Sequence, residues 1–214
     1  DMAHLLAEEM QAHGVKLHLG NGVKAFQAQA HGVTVALSDG TELSTDLVVL
    51  AIGVRPDTAF LKDSGIELDA RGFIVTDKYL RTSAPDVYAV GDAILTRDVR
   101  TGEPRALALA GPANRQGRLA ADNMTGHPHV YGGVQGSSIL KVFTLTAAAT
   151  GDNERALQWA GVEYKTVIVE PFSHATYYPG AERMTLKLLF ASDGKVLGAQ
   201  AIGGDGVDKR INTI

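Results

Sequence analysis

The sequence of 214 residues contains no cysteine, which excludes disulfides, thiolate metal sites and a cysteine nucleophile within this chain. It also has no basic excess: 20 Lys and Arg against 24 Asp and Glu give a formal net charge of −4, so we expect no nucleic-acid partner. No apolar run approaches the roughly 20 residues of a membrane-spanning helix. We therefore expect no membrane partner and predict a cytoplasmic location.

Proline is sparse, with 7 residues, whereas the 24 glycines are plentiful. This balance indicates glycine placed at turns and close backbone approaches rather than a Pro-Gly low-complexity tract. Apolar residues make up 45% of the chain and charged residues 21%, which is typical of a folded globular protein.

Both ends of the sequence look interrupted. Apolar residues follow one helix face from Met2 to Met10, and this pattern ends at Gly14. At the other end, residues 206–212 have the pattern of a helix that has only begun. We expect the sequence to be a portion of a longer protein.

The first 54 residues show strand patterns after the opening helix. Short strands are predicted over 15–19, 22–29 and 33–37, followed by a turn at 38–41. Asp46–Gly53 is apolar on both faces, which is typical of a strand in a sheet covered on both sides. A helix, a β-meander and a buried strand together indicate the later part of an α/β nucleotide-binding domain.

The remainder predicts one long helix and a β-rich end. Pro112 and Gly126 bracket the helix, because proline favours the first turn and glycine the position after the end. Further predicted elements are a hairpin at 68–73, a short helix at 153–160, and strands at 184–190 and 196–202. No metal site is predicted, because the His127-Pro128-His129 run lacks a third ligand.

The clearest chemical signal is the run Thr82–Asp92, with the pattern T-x-x-P-x-x-Y-A-x-G-D. Val87–Val90 predicts a short apolar strand, and Gly91 would let the backbone approach a ligand closely. Asp92 would then stand at the carboxyl end of a strand, where its carboxylate can accept hydrogen bonds from sugar or polyol hydroxyls. A Gly-Asp pair alone also fits an ordinary turn, but the full eleven-residue pattern favours a ligand-binding role.

This run resembles the second FAD-binding motif of the pyridine nucleotide-disulfide oxidoreductases, which implies that Asp92, with Gly91, binds the ribityl chain of the flavin. Upstream, Leu50–Asp57 resembles the family's junction between its NAD(P)-binding and FAD-binding domains, although a buried strand ending in a turn would fit the same residues. The junction implies cofactor contacts at Ala51, Ile52 and Gly53.

Leu109–Arg118 is similar to the family's helix whose N-terminus points at the flavin ring. Unpaired N–H groups and the positive end of the helix dipole would stabilise negative charge on reduced flavin. The resemblance implies cofactor contacts at Leu109, Ala110, Gly111, Pro112 and Ala113, with the N–H groups supplied by residues 110–113. Asn114, Arg115 and Arg118 could reach a substrate phosphate, but solvated polar residues of a capped surface helix are the favoured alternative.

Ser138–Gly151 and His174–Ala181 resemble the dimerisation domain of coenzyme A-disulfide reductases, which NADH oxidases and persulfide or polysulfide reductases share. The resemblance implies a homodimer in which Tyr177 reaches the partner's active site as a catalytic residue. Its phenol would donate a hydrogen bond or a proton to a leaving thiolate. Tyr178 is a weaker candidate for substrate binding. The alternative is that these aromatics pack against the sheet.

The resemblance spans the whole sequence and implies a combined α/β and α+β fold class. Partial Rossmann-like domains for NAD(P) (1–54) and FAD (55–126) would precede a mixed α+β dimerisation domain with an antiparallel sheet (127–214). No G-x-G-x-x-G fingerprint occurs. In the family, that fingerprint and the redox cysteine lie N-terminal to a segment like this one.

The expected activity of the parent protein is electron transfer from NAD(P)H through FAD to a coenzyme A disulfide, persulfide or polysulfide. Two alternatives stay open. One is an NADH oxidase or peroxidase on the same scaffold, and the other is a catalytically inactive dimerisation and nucleotide-binding fragment.

Overall fold

The structure, a computed structural model, describes residues 2–214. The chain divides into two compact units, Asp1–Val54 and Arg55–Ile214. The second unit takes in both of the later predicted domains, so the three-part division at residues 54 and 126 stays a prediction.

The first unit contains one helix and an antiparallel three-stranded sheet in the order β1-β2-β3. Its elements are α1 (Ala3–Ala12), β1 (Val23–Ala28), β2 (Val33–Leu37) and β3 (Glu42–Thr45). The helix ends as predicted at Gly14, whose φ of +81° is left-handed. The turn after β2 is held by Asp39, whose Oδ1 accepts a hydrogen bond from the Thr41 N–H at 2.8 Å. This bond lowers the pKa of Asp39.

Two strands predicted for the first unit are wrong. Residues 15–19 and Asp46–Gly53 both run as unpaired backbone. The second run is widely exposed, with 78% of Val49 and 87% of Ile52 accessible. A strand exists through the hydrogen bonds of its ladder, and no segment of residues 2–214 pairs with either run.

The second unit begins with turns and a helix. Its regular elements here are β4 (Thr96–Arg97), β5 (Pro104–Arg105) and α2 (Ala110–Met124), with 3₁₀ turns at Ala59–Leu61 and Gly91–Ala93. The hairpin predicted at 68–73 is present as a tight turn, in which Asp69 Oδ1 accepts from the Arg71 and Phe73 N–H groups at 2.8 Å. Around them lies a core of Ile74, Leu80, Ile94, Ala120, Tyr131 and Val134.

The predicted helix between Pro112 and Gly126 is confirmed, and it begins two residues earlier, at Ala110. Its end follows the Schellman pattern: the His127 N–H donates to Asp122 O at 2.9 Å, and Gly126 has a left-handed φ of +85°.

An antiparallel five-stranded sheet in the order β6-β7-β10-β9-β8 forms the remainder of this unit. Its elements are β6 (Ser138–Val142), β7 (Leu145–Gly151), α3 (Glu154–Trp159), β8 (Lys165–Val169), β9 (Met184–Phe190), β10 (Val196–Gly203) and α4 (Val207–Thr213). The small side chains of Ala199 and Ala201 let α4 pack closely through Val207 and Ile211. The predicted short helix and the strands at 184–190 and 196–202 are confirmed.

An ion pair between a buried lysine and a partly exposed glutamate joins α3 to the sheet. Lys187 on β9 is only 2% exposed and its Nζ pairs with Glu154 at the start of α3. Burial lowers the pKa of Lys187. Of the helices within residues 2–214, none combines the length and apolar character needed to cross a bilayer.

Candidate functional site

Asp92 lies in the 3₁₀ turn Gly91–Ala93, and its carboxylate is exposed to solvent. No group of residues 2–214 donates a hydrogen bond to this carboxylate. The strand predicted at Val87–Val90 is wrong, because a single bridge between Arg81 and Tyr88 replaces a ladder. A turn, rather than a sheet edge, therefore presents the acceptor.

Helix α2 holds this turn in place. The Gly91 N–H donates a hydrogen bond to Gln116 Oε1 at 2.7 Å, and Gln116 is only 2% exposed. Gly91 has a left-handed φ of +77°, and a Cβ added to it would lie 3.8 Å from the Ala113 Cβ. The Asp92 turn and the first turns of α2 are thus fixed side by side.

Gln116 is a residue that the sequence interpretation missed. The buried side chains of α2 are Gln116, Ala120 and Asn123, which are spaced by four and then three residues. A polar residue at the buried positions of a helix requires a hydrogen-bond partner. This spacing could have identified Gln116 from the sequence, because it places a polar residue on the buried face of the helix.

The N-terminus of α2 offers fewer free donors than the sequence suggested. Leu109 caps the helix without a side-chain bond, and Ala113 already donates its N–H to Leu109 O at 3.2 Å. Pro112 has no N–H. The expectation that residues 110–113 all supply donors is corrected: among these four residues, only Ala110 and Gly111 have N–H groups that find no acceptor within residues 2–214.

A cavity of about 280 Å³ opens beside this helix end. Gly111, Pro112 and Arg115 line it on the helix side. Of the three side chains predicted to reach a substrate phosphate, only that of Arg115 belongs to a residue lining the cavity. Asn114 Nδ2 donates to Ala110 O of its own helix at 2.9 Å, and Arg118 is exposed and outside the cavity lining.

Tyr177 and Tyr178 lie in the segment between β8 and β9 and are 90% and 65% exposed. Neither packs against the sheet. Tyr178 makes an edge contact with the His174 ring, with centroids 5.7 Å apart. The Tyr177 phenol has no partner in the described part of the chain.

The predicted junction residues belong to the first unit. Ala51, Ile52 and Gly53 are all exposed, and Gly53 has a left-handed φ of +94°. The structure thus brings together Gly91, Asp92 and the start of α2, and it leaves Ala51–Gly53 and Tyr177 open to solvent.

Comparison with known families decides the identity of this scaffold. Residues 1–117 match the family model described as pyridine nucleotide-disulphide oxidoreductase, and residues 137–214 match the model of that family's dimerisation domain. The chain belongs to the pyridine nucleotide-disulphide oxidoreductases. The predicted family and the predicted α/β and α+β fold class are confirmed, and the family is one of oxidoreductase enzymes.

Several relatives are similar along the whole chain. The structure of reduced Bacillus anthracis CoADR-RHD is 42% identical with a TM-score of 0.94, over 99% of this chain and 38% of that one. The NAD-dependent persulfide reductase from A. fulgidus is 35% identical with a TM-score of 0.95, over 99% and 39%. An NADH oxidase of Methanocaldococcus jannaschii is 29% identical over 100% of this chain and 47% of that protein. The chain spans about half the length of the curated relatives it matches.

Proposed function

We propose that this chain acts within a homodimeric flavin-dependent oxidoreductase that passes electrons from NAD(P)H through FAD to a coenzyme A disulfide, a persulfide or a polysulfide. The observation that supports it most is the Asp92 turn, fixed by Gln116 beside the free N–H groups of α2. The similarity to a persulfide reductase and to a Staphylococcus aureus coenzyme A disulfide reductase, 29% identical over 100% of this chain and 48% of that protein, supports the class of acceptor.

The residues present fit FAD. The exposed Asp92 carboxylate, which accepts no hydrogen bond within residues 2–214, suits polyol hydroxyls. The free N–H groups of Ala110 and Gly111, at the positive end of a 15-residue helix, suit a site of developing negative charge. Bound FAD would supply the hydride-accepting chemistry that no side chain of this sequence offers. Ala51, Ile52 and Gly53 stay candidate cofactor contacts.

Tyr177 is the proposed proton donor to the leaving thiolate. A phenol is a suitable donor because its O–H can donate a hydrogen bond or a proton to a thiolate. Its 90% exposure leaves it open to a substrate bound by another subunit. Tyr178, Asn114 and Arg118 are the proposed contacts to the rest of that substrate.

A homodimer is proposed because the edges of the five-stranded sheet are apolar and uncovered. The exposed apolar side chains on the two edge strands are Ile139, Leu140, Val167, Ile168 and Val169. Exposed apolar edges of this kind favour association with another chain.

Two further functions have some support. The similarity to a Methanocaldococcus jannaschii NADH oxidase favours oxygen or peroxide as the acceptor on the same scaffold. The absence of cysteine from the 214 residues favours a second function, in which the chain catalyses no thiol chemistry itself and serves as a dimerisation and nucleotide-binding fragment.

The test measures FAD binding by the chain and by Asp92→Asn. We expect visible flavin absorption to accompany the purified chain or to appear on titration, and Asp92→Asn to weaken binding about tenfold through loss of charged hydrogen bonds. Asp86→Asn is the matched control, since Asp86 is exposed in the same run. The same two variants are compared in the longer protein if the chain alone binds no FAD, and equal effects of both variants there would refute the assignment of the site.

The acceptor is tested in the longer protein with NADH and with coenzyme A disulfide, polysulfide or oxygen. Tyr177→Phe should lower kcat with a disulfide acceptor while FAD content stays unchanged. Equal turnover by Tyr177→Phe would refute the proton-donor role, and turnover with oxygen alone would favour the oxidase.

A further inference from the structure

The second unit contains a larger cavity, of about 420 Å³, apart from every residue assigned above to cofactor or substrate. Three segments line it, within 75–80, 94–104 and 130–132. Its volume lies in the range of small-molecule sites, and its walls are mainly apolar. The apolar lining includes Leu80 and Ile94 from the buried core.

The cavity walls are joined by backbone hydrogen bonds. The Tyr131 N–H donates to Lys78 O and the Val134 N–H to Arg97 O, both at 2.8 Å. Between them, Gly133 has a φ of +98°, and a Cβ there would overlap the Arg97 carbonyl oxygen. The cavity is therefore a preformed feature of the folded backbone and not a gap between loose loops.

Two buried hydroxyl groups in the wall have no hydrogen-bond partner. They are Thr96 Oγ1 and the Tyr131 OH, on residues that are 4% and 7% exposed. A buried polar group without a partner is costly, and native proteins satisfy nearly all of them with protein, water or ligand. Both residues line this cavity, and Tyr131 also lines the cavity beside α2, but both hydroxyl oxygens are covered and lie within the wall rather than on its surface.

The lining also has an excess of positive charge. Arg97 and Lys78 make no ion pair within residues 2–214. The Arg97 guanidinium lies over Gly102, with Nη2 3.1 Å from the place of an added Cβ. Asp77 also lines the cavity, but its Oδ1 accepts two backbone N–H bonds of its own turn. Two cations against one anion favour an anionic ligand group.

We infer that this cavity binds a small molecule with an apolar body and one anionic group, a carboxylate or a phosphate. Its anionic group pairs with Arg97, whose planar guanidinium can donate two hydrogen bonds to a carboxylate or a phosphate. Lys78 adds a second positive charge. Its apolar body lies on Val75, Leu95 and Val130, which also line the cavity. The inference is independent of the proposed flavin chemistry.

Calorimetric titration of the chain tests this with 2-naphthoate, 1-naphthyl phosphate and neutral 2-naphthalenemethanol. We expect one-to-one binding of at least one anion, and the tighter of the two identifies the anionic group. Arg97→Gln should weaken that anion about tenfold and the neutral alcohol less than about twofold. Arg155→Gln, an exposed arginine on α3, should change neither. Absence of one-to-one binding by both anions overturns the inference.

The location is tested by filling the cavity from its rim. Val130 lines the cavity and is 53% exposed, so Val130→Trp should abolish binding without disturbing the core. Val23→Trp is the matched control, because Val23 is also 53% exposed but lies on β1. Ligand-induced amide shifts should centre on Gly102 and Gly132. Amide shifts confined to the exposed run 47–54 would overturn the location. Equal losses of binding in the Val130→Trp and Val23→Trp variants would overturn it as well.

Discussion

The hydrogen bond from Gly91 to Gln116 gives a prediction whose magnitude follows from the structure. Gln116→Met preserves the length of the side chain and leaves little cavity, so it removes chiefly the Oε1 acceptor. The Gly91 N–H is half-buried and would lose its 2.7 Å bond. Leaving such a donor unsatisfied costs about 1–2 kcal/mol. For a unit the size of Arg55–Ile214, this lowers Tm by roughly 2–8 °C.

Thermal and urea unfolding followed by circular dichroism measure this loss. Asn114→Ala is the matched control on α2, because its side chain is exposed and bonds only to its own helix. We expect Asn114→Ala to change the free energy of unfolding by less than about 0.5 kcal/mol. A stability of Gln116→Met equal to that of the unaltered chain would refute the anchoring role. If FAD affinity fell with no loss of stability, Gln116 would act on the cofactor directly.

Three further predictions concern the second unit. Gly198→Ala should destabilise it by about 1–3 kcal/mol in urea unfolding, because a Cβ at Gly198 would overlap Asp152 O. Lys187→Ala should cost about 1–3 kcal/mol by removing the ion pair of Glu154, which keeps only the Thr166 hydroxyl as a donor. The paired change Lys187→Met with Glu154→Gln should recover most of that loss. Burial alone would raise the pKa of Asp98, but hydrogen bonds lower it overall, so its stabilising contribution is present above pH 3.8 and disappears as the pH falls through the lowered pKa. The difference in stability between Asp98→Asn and the unaltered chain should therefore begin to shrink below pH 3.8 and disappear as the pH falls through the lowered pKa of Asp98. A difference that stays constant over this range would contradict this.

Elements with local end signals were predictable from the sequence. Gly14 and Gly126 end helices by adopting left-handed φ values that other residues rarely take. Asn153 begins α3 by accepting a hydrogen bond from the Ala156 N–H at 2.9 Å. The strands at 184–190 and 196–202 were predictable from the alternation of apolar residues in the first and the Asp193-Gly194 turn between them. Each of these signals lies within a few residues of the feature it specifies.

The wrong predictions concern features that depend on distant partners. Asp46–Gly53 and Val87–Val90 have the composition of buried strands, but no described segment supplies the ladder. The Asp92 motif was identifiable because its pattern is contiguous, whereas its anchor, Gln116, lies 24 residues further along the chain. The periodicity of a sequence indicates which positions are buried, but it does not identify the residue that contacts each of them.

The exposed run at 47–54 allows this argument to be tested on the chain itself. Val49 is 78% exposed, so Val49→Asp should change the stability of the first unit by less than about 0.5 kcal/mol. Val35→Asp is the contrasting change: Val35 is 8% exposed on β2, and an unpaired charge there should cost about 3–5 kcal/mol. Amide hydrogen exchange of β1 and β2 measures both. A large loss of stability in Val49→Asp would mean that this run is covered in solution. The apolar pattern of Asp46–Gly53 would then have predicted its burial correctly, against the exposure seen in the structure.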